Sequence, residues 1–293
     1  MAAIKDAVQS MQGTVLCFQG PPGAGKTFTA SKVIESLVVM GHRVGVMSNS
    51  HAAIMNLLEP LAEMLPGYLV VKVGGFESEK AFKEKFSATT YPGFRYRAGM
   101  TFTNAEPYRS FSVIGATAFA FARADGTVPL DYLFVDEASQ VSMANLMVAA
   151  RAAGNIILMG DQMQLEQPLQ GVHPDTAGLS ALDYLLDGDA VIPEDKGIFL
   201  ERTYRMHPMI CQPVSELVYE GKLVSDAPNQ NQSVVTKRTG KILKSSGIQT
   251  LWTEHEGNTQ SSQEEAKLIL DLIQELEGST VTRKDGTTKV LDH

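Results

Sequence analysis

The sequence predicts an α/β fold: a mostly parallel sheet covered by helices on both faces. Short β-rich runs alternate with helical patterns through the first two thirds of the chain, the signature of βαβ units. The strand runs are almost wholly apolar, as strands buried on both faces must be. The first of them ends in a glycine-rich turn that opens directly into a helical pattern.

The bulk properties fit this reading. The chain has 293 residues, 44% hydrophobic and 20% charged, enough for about two domains. Twenty-five Lys and Arg against 33 Asp and Glu give a net charge of -8. That balance argues against tight, unspecific coating of nucleic acid but leaves room for a locally basic groove. Cys17 and Cys211 sit in apolar sequence without a C-x-x-C or a His/Cys cluster. Two buried thiols in a reducing, cytoplasmic setting are expected, with neither a disulfide framework nor a zinc site. No apolar run approaches ~18 residues, so neither secretion nor membrane insertion is expected.

Taken in order, residues 14–19 (TVLCFQ) read as the first strand. Ala30, Val33, Ile34, Leu37 and Val38 then recur at helical spacing, and Gly41 follows as a C-terminal cap. Further strands are expected at 43–47, 69–73, 112–115, 132–135 and 156–159. Between about 74 and 110 the pattern breaks, and an insertion is read there. Phe76, Phe82, Phe86, Tyr91, Phe94 and Tyr96 interleave with Lys80, Lys83, Lys85, Arg95 and Arg97. Two readings stay open: a base-stacking, phosphate-holding surface, or a small amphipathic helix and loop whose aromatics pack on the core. Glu77, Glu79 and Glu84 dilute the basic charge.

A domain boundary is expected in the Gly-, Asp- and Pro-rich stretch 188–197, dividing the chain into 1–187 and 188–293. Residues 225–247, with Lys237, Arg238, Lys241 and Lys244, read as a solvated loop. A helix follows: Ser261 and Glu264 fit a capping box, Ile269, Leu272, Ile273 and Leu276 form one apolar face, and Gly278 ends it.

The chemistry begins at the first turn. Gly20, Pro21, Pro22, Gly23, Ala24, Gly25, Lys26 and Thr27 spell G-x-x-x-x-G-K-[ST] in full. Glycines let successive backbone N–H groups point inward at phosphate oxygens, and the helix that follows adds its positive end. Lys26 supplies a mobile cation for the β- and γ-phosphates, Thr27 offers a hydroxyl to Mg²⁺, and the two prolines stiffen the loop. Mg²⁺ and a nucleoside triphosphate are therefore the expected cofactors. The run LFVDE at 133–137 places Asp136 at the end of an apolar strand, where it helps hold Mg²⁺, and Glu137 beyond it to orient or deprotonate water. A guanine-reading Asn-Lys-x-Asp is lacking. GDQMQL at 160–165 follows another strand, and on its own it reads equally as a turn.

Together these segments resemble superfamily 1 helicases, in the branch with DEAxQ and YRMHP signatures. That branch includes the nonsense-mediated-decay helicase and bacterial fusions of a RecB-like nuclease to a helicase, and the chain most resembles the latter. GPPGAGKT (20–27), SNSHAAIMNLL (48–58), VIGAT (113–117), DEASQ (136–140), GDQMQL (160–165) and TYRMHP (203–208) occur in the family's order. The resemblance implies a RecA-like P-loop domain followed by part of a second RecA-like domain. It implies that Gln164 contacts the γ-phosphate, that Arg205 reaches the same phosphate like an arginine finger, and that Tyr204 stacks near the adenine. Ser48, Asn49 and Thr117 would touch the backbone of single-stranded DNA or RNA, and a nuclease would accompany the intact protein. For Ser48 and Asn49 the competing reading is a helix N-cap; for Arg205 it is a surface ion pair. His207 is expected to pack or cap.

The chain also departs from the family. Gln9 is a poor counterpart of the glutamine that reads adenine upstream of the P-loop strand. The sequence stops at Asp292 and His293, before the family's last two motifs, so weak turnover is expected of these residues alone. The competing function is a non-catalytic, ATP-responsive nucleic-acid switch; a small-molecule phosphotransferase has no use for TYRMHP.

Overall fold

Parallel pairing organises the first part of the protein. The computed structural model describes residues 1–99, 111–122, 130–164, 171, 175–237 and 243–291. Two compact units divide them, Met1–Leu200 and Glu201–His293.

The first unit opens with α1 (Ala2–Gln9), β1 (Val15–Gln19), α2 (Lys26–Val39), β2 (Val44–Met47) and α3 (His51–Met64). β3 (Val70–Val73), α4 (Glu79–Lys85), β4 (Phe94–Arg97), β5 (Val113–Ala116) and α5 (Ala118–Ala122) follow. β6 (Leu130–Val135), α6 (Met143–Ala150), β7 (Ala153–Gly160), α7 (Ala181–Leu186) and β8 (Gly197–Phe199) complete it. The strands form one eight-stranded sheet in the order β4-β3-β5-β2-β6-β7-β1-β8, and every pair in it is parallel. All six strands expected from the sequence are present within a few residues.

Alternate strand residues feed two separate cores, which makes the three layers explicit. Phe18, Val44, Val46, Tyr132, Phe134, Ile157 and Met159 pack with α1, α2 and α3. Cys17, Met47, Leu133, Val135 and Leu158 pack with α5, α6 and α7. α3 lies close on β5: a Cβ on Gly115 would stand 2.4 Å from Leu58 Cδ1 and 2.7 Å from Ile54 Cγ2. Both cysteines are buried thiols, and burial pushes Cys17 up to about 12.

The insertion resolves in favour of packing. Phe82, Phe86, Phe94 and Tyr96 are buried. Phe82 meets Phe94 edge-on at 4.9 Å between ring centres and stacks with Tyr96 at 5.6 Å. Lys83 and Glu79 pair across one helical turn at 2.7 Å, so α4 keeps a solvated charged face. β4 extends the sheet as its outer parallel strand. Arg109 lies outside the described residues.

The stretch 188–197, expected to be a domain boundary, returns to the sheet. It delivers β8, which pairs with β1 from Cys17↔Gly197 to Gln19↔Phe199. The Gly and Asp residues serve a turn between α7 and β8, a role that composition does not distinguish from a linker.

The second unit carries β9 (Arg202–Thr203), α8 (Pro208–Val218), β10 (Val224–Ser225), β11 (Ser233–Val235), α9 (Gln263–Leu276), β12 (Thr280–Thr282) and β13 (Thr288–Val290). β9 and β10 pair parallel, while β11, β12 and β13 form a separate antiparallel sheet. The expected partial second domain is thus two small sheets among the described residues. The α9 cap sits one residue later than the sequence suggests: Ser262 accepts the Glu265 N–H. Its apolar face is largely open, with Ile269 and Ile273 each 55% exposed. The stretch 225–247, expected to be a solvated loop, carries β11 and the fully buried Asn229, since the strand finds its partner in β12 far along the chain. Lys244 within it is exposed, and Arg238 and Lys241 lie outside the described residues.

Candidate functional site

Because the sheet is parallel, all eight strands end at one edge, and the five motifs named above in this unit meet there. Gly20 follows β1, Ser48 follows β2, Thr117 follows β5, Asp136 follows β6 and Asp161 follows β7. The carboxyl edge of a parallel sheet is where α/β proteins assemble ligand sites. The sheet order places the ends of β6, β7 and β1 together, with β2 and β5 beside them.

The loop between β1 and α2 turns at two glycines, Gly23 with φ 78° and Gly25 with φ 79°. A side chain at either would be strained in this left-handed region. Gly25 also caps α2, whose first residues are Lys26 and Thr27. Pro21 and Ala24 are buried; Pro22, Lys26 and Thr27 are half-buried. The Ala24 N–H donates to the Pro21 carbonyl at 3.0 Å and closes the loop on itself. Lys26 folds across it, donating from Nζ to the Gly20 carbonyl at 2.6 Å.

Asp136 is 5% exposed at the end of β6. Its Oδ1 accepts the Glu137 N–H at 3.0 Å, and among the described residues no donor meets Oδ2. Burial and the neighbouring Glu137 carboxylate raise its pKa to about 6; the Glu137 N–H and the Lys26 charge oppose the rise. Lys26 and Asp136 therefore sense each other's field without a direct ion pair. Glu137 adopts φ 53°, rare for a side-chain-bearing residue; such strain gathers at functional sites. Hard oxygen donors on Asp136 and Thr27, one of them an under-compensated buried anion, suit Mg²⁺.

At the end of β7, Asp161 is fully buried. It accepts from Gln164 Nε2 at 3.2 Å, and Gln164 N–H donates to its carbonyl at 3.1 Å. Leu165, the last residue of that motif, lies outside the described residues. Gln19 and Gln162, which the sequence reading passed over, bond to each other here at 2.7 Å.

On the β2 and β5 side, Ser48 is 1% exposed and Asn49 donates to the Gln140 carbonyl, tying this segment to the DEASQ turn. The helix cap is Ser50, which accepts from Ala52 and Ala53; the capping reading of Ser48 and Asn49 thus falls on their neighbour. Thr117 accepts the Ala120 and Phe121 N–H groups through its carbonyl as α5 begins. A second pair escaped the sequence reading. Lys72 on β3 is fully buried and donates to His51 Nδ1 at 3.0 Å, Val73 O at 2.6 Å and Gly74 O at 2.8 Å. Burial lowers its pKa to about 8. The available signal was a lysine inside an otherwise apolar strand.

In the second unit Tyr204 is 47% exposed and Arg205 donates its N–H to Thr203 Oγ1 at 3.3 Å. His207 caps α8, its Nδ1 accepting the Met209 N–H at 3.1 Å. Tyr204, Arg205, Lys244, Arg283 and Lys284 line one cavity of about 670 Å³. Among the described residues no group of three or more His, Cys, Asp or Glu stands ready to hold a metal, and no helix is long and apolar enough to cross a membrane.

Comparison with known proteins matches this arrangement. Residues 4–168 fit the AAA domain family AAA_19, and residues 180–289 fit a second AAA domain family, AAA_12. The chain belongs to the AAA domain family, whose first model alone covers more than half of it. It is 26% identical over 247 residues to "DNA replication ATP-dependent helicase/nuclease DNA2" of Gallus gallus, covering 83% of this chain and 24% of that protein. Against the Homo sapiens protein of the same name it is 25% identical, covering 83% and 22%. Against "DNA polymerase alpha-associated DNA helicase A" of Schizosaccharomyces pombe it is 26% identical, covering 70% and 36%. The chain thus spans about a quarter to a third of the length of these relatives, and none of the three is a bacterial fusion. Among solved structures, an arterivirus nonstructural protein 10 helicase with DNA matches at TM-score 0.44 and 16% identity over 76% of this chain and 43% of that one. Pif1 helicase from Candida albicans matches at TM-score 0.35 and 16% identity, covering 70% and 40%. At such scores the RecA-like fold rests on the strand order and the family match.

Proposed function

We propose that the first unit binds Mg-ATP and hydrolyses it, and that the intact protein couples this to movement along single-stranded nucleic acid. One observation carries the reading: Asp136, buried at the end of β6, shares one sheet edge with the β1–α2 loop that ends at Lys26, a single strand apart in the sheet order. In the proposed roles, residues 20–27 enclose the phosphates, Lys26 neutralises the β- and γ-oxygens, and Thr27 and Asp136 hold Mg²⁺. When bound, the ion offsets phosphate charge. Glu137 orients and deprotonates the attacking water. Gln164 and Arg205 contact the γ-phosphate and Tyr204 the adenine. Asn49 and Thr117 face the strand, while Ser48, assigned the same contact by the motif, is buried and backs their segment; the common sheet edge with the nucleotide residues supports this. A nuclease elsewhere in the intact protein belongs to the same proposal, supported by relatives named "helicase/nuclease"; a place among the RecB-like fusions is proposed on the motif set alone. A reducing cytoplasmic setting is proposed from the two buried thiols.

A single-turnover ATPase assay with and without a single-stranded oligonucleotide tests the reading. Magnesium-dependent cleavage in the wild-type chain, lost in K26A, is expected. Equal cleavage by K26A would end it.

A further inference from the structure

Two glutamines at the nucleotide edge have no part in the proposed chemistry, yet they are joined. Gln19 ends β1 and is fully buried. Its Oε1 accepts the Ile192 N–H at 2.6 Å, while its Nε2 donates to Gln162 Oε1 at 2.7 Å and to the Ala190 carbonyl at 2.8 Å. Gln162 then donates from Nε2 to the Ala190 carbonyl at 2.7 Å and the Asp189 carbonyl at 3.1 Å. One group sets the direction of the whole relay. The Ile192 N–H must meet an oxygen, so Gln19 turns its nitrogen to Gln162. Gln162 must then present its oxygen to Gln19 and its nitrogen to the carbonyls of 189 and 190.

The main chain repeats the tie. Gly20 N–H donates to the Gly160 carbonyl at 2.9 Å, and Leu200 N–H donates to the Gln19 carbonyl at 2.8 Å. The base of the P-loop, the end of β7 and the segment 189–200 are held together at residues 19, 20, 160 and 162. Gln164 sits two residues beyond Gln162, on the turn that this clamp anchors. A shift of the turn moves the Gln164 amide relative to the P-loop, and hydrogen bonds weaken steeply with such misalignment.

We propose that Gln19 and Gln162 are positioning residues for the γ-phosphate. Their relay fixes the turn carrying Gln164 against the base of the P-loop, so its loss blunts discrimination between nucleoside triphosphate and diphosphate while leaving nucleotide binding in place. This rests on the reading of Gln164 as the γ-phosphate contact.

The test uses the full chain and the variants Q162A and Q162E. Q162E keeps the shape but turns a carboxylate oxygen on the carbonyls of 189 and 190. Affinities for Mg-ADP and for magnesium with a non-hydrolysable ATP analogue are measured, together with the unfolding temperature. The wild type prefers the triphosphate analogue. In both variants that preference falls about tenfold, the scale of one lost hydrogen bond to a charged group, with Mg-ADP affinity and unfolding temperature essentially unchanged. An unchanged preference overturns the relay. So does a parallel loss of both affinities with a lowered unfolding temperature, which marks a merely structural tie. Wild-type protein that binds both nucleotides without preference removes the role of Gln164 and the relay with it. Wild-type protein that binds neither defeats the P-loop reading itself, a result separable from all the others.

Discussion

The two halves of one sheet edge are built differently. At the ends of β1, β7 and β6, unusual backbone does the shaping: Gly23, Gly25 and Glu137 all have positive φ, and Asp136 and Asp161 are buried. At the ends of β2 and β5 the backbone is ordinary, and side-chain hydrogen bonds do the shaping: Asn49 to Gln140 and Ser50 to α3. The neighbouring turn after β3, braced by Lys72 and His51, again uses positive-φ glycines, Gly74 and Gly75. A site for a small, fixed, highly charged ligand repays rigid backbone donors. A surface for a long strand that slides needs few fixed contacts and many equivalent ones.

The sharpest way to break the comparison is at the rigid half. K26A removes the mobile cation, and turnover should fall by ~10³-fold or more, read in single-turnover hydrolysis. E137Q should keep Mg-ATP affinity within about twofold while cleavage falls by ~10²-fold or more. Normal turnover in E137Q would remove the base assignment. At the other half, N49A should weaken binding of a labelled single-stranded oligonucleotide by about fivefold, one modest hydrogen bond, and leave ATP affinity alone. Equal loss of both would show that the halves are not separable.

Lys72 sharpens the comparison through pH. Burial holds it at about 8 instead of 10.5, so between these values the unfolded chain binds a proton that the folded chain releases. The penalty for burying the charge is full below about 8 and is relieved as pH rises toward 10.5. Wild-type stability relative to K72M should therefore climb by up to ~2 kcal/mol between about pH 7.5 and about pH 9.5, measured by urea denaturation. A flat difference would mean that Lys72 titrates normally.

What the sequence disclosed follows the same division. The P-loop and the Asp-Glu strand end are legible because residue types there are dictated by backbone geometry and phosphate chemistry. The strands are legible because burial on both faces leaves only apolar residues. Gln19 and Gln162 were not legible, since their role depends on Ala190 and Ile192, which lie 171 and 173 positions from Gln19, with Ala190 28 positions from Gln162. Residues 188–197 looked like a linker because turns and linkers share glycine and aspartate. The aromatic insertion held two readings until Phe82 and its neighbours were found packed on one another. α9 shows the limit of periodicity: the spacing marks an apolar face, yet Ile269 and Ile273 remain more than half exposed.

The account depends on Asp136 and the P-loop forming one metal-nucleotide site. Equilibrium binding of a fluorescent ATP analogue, titrated with Mg²⁺, to wild-type and D136A protein tests this directly. The account predicts that magnesium tightens binding to the wild type and that this tightening is largely lost in D136A. Identical magnesium dependence in the two proteins would contradict it.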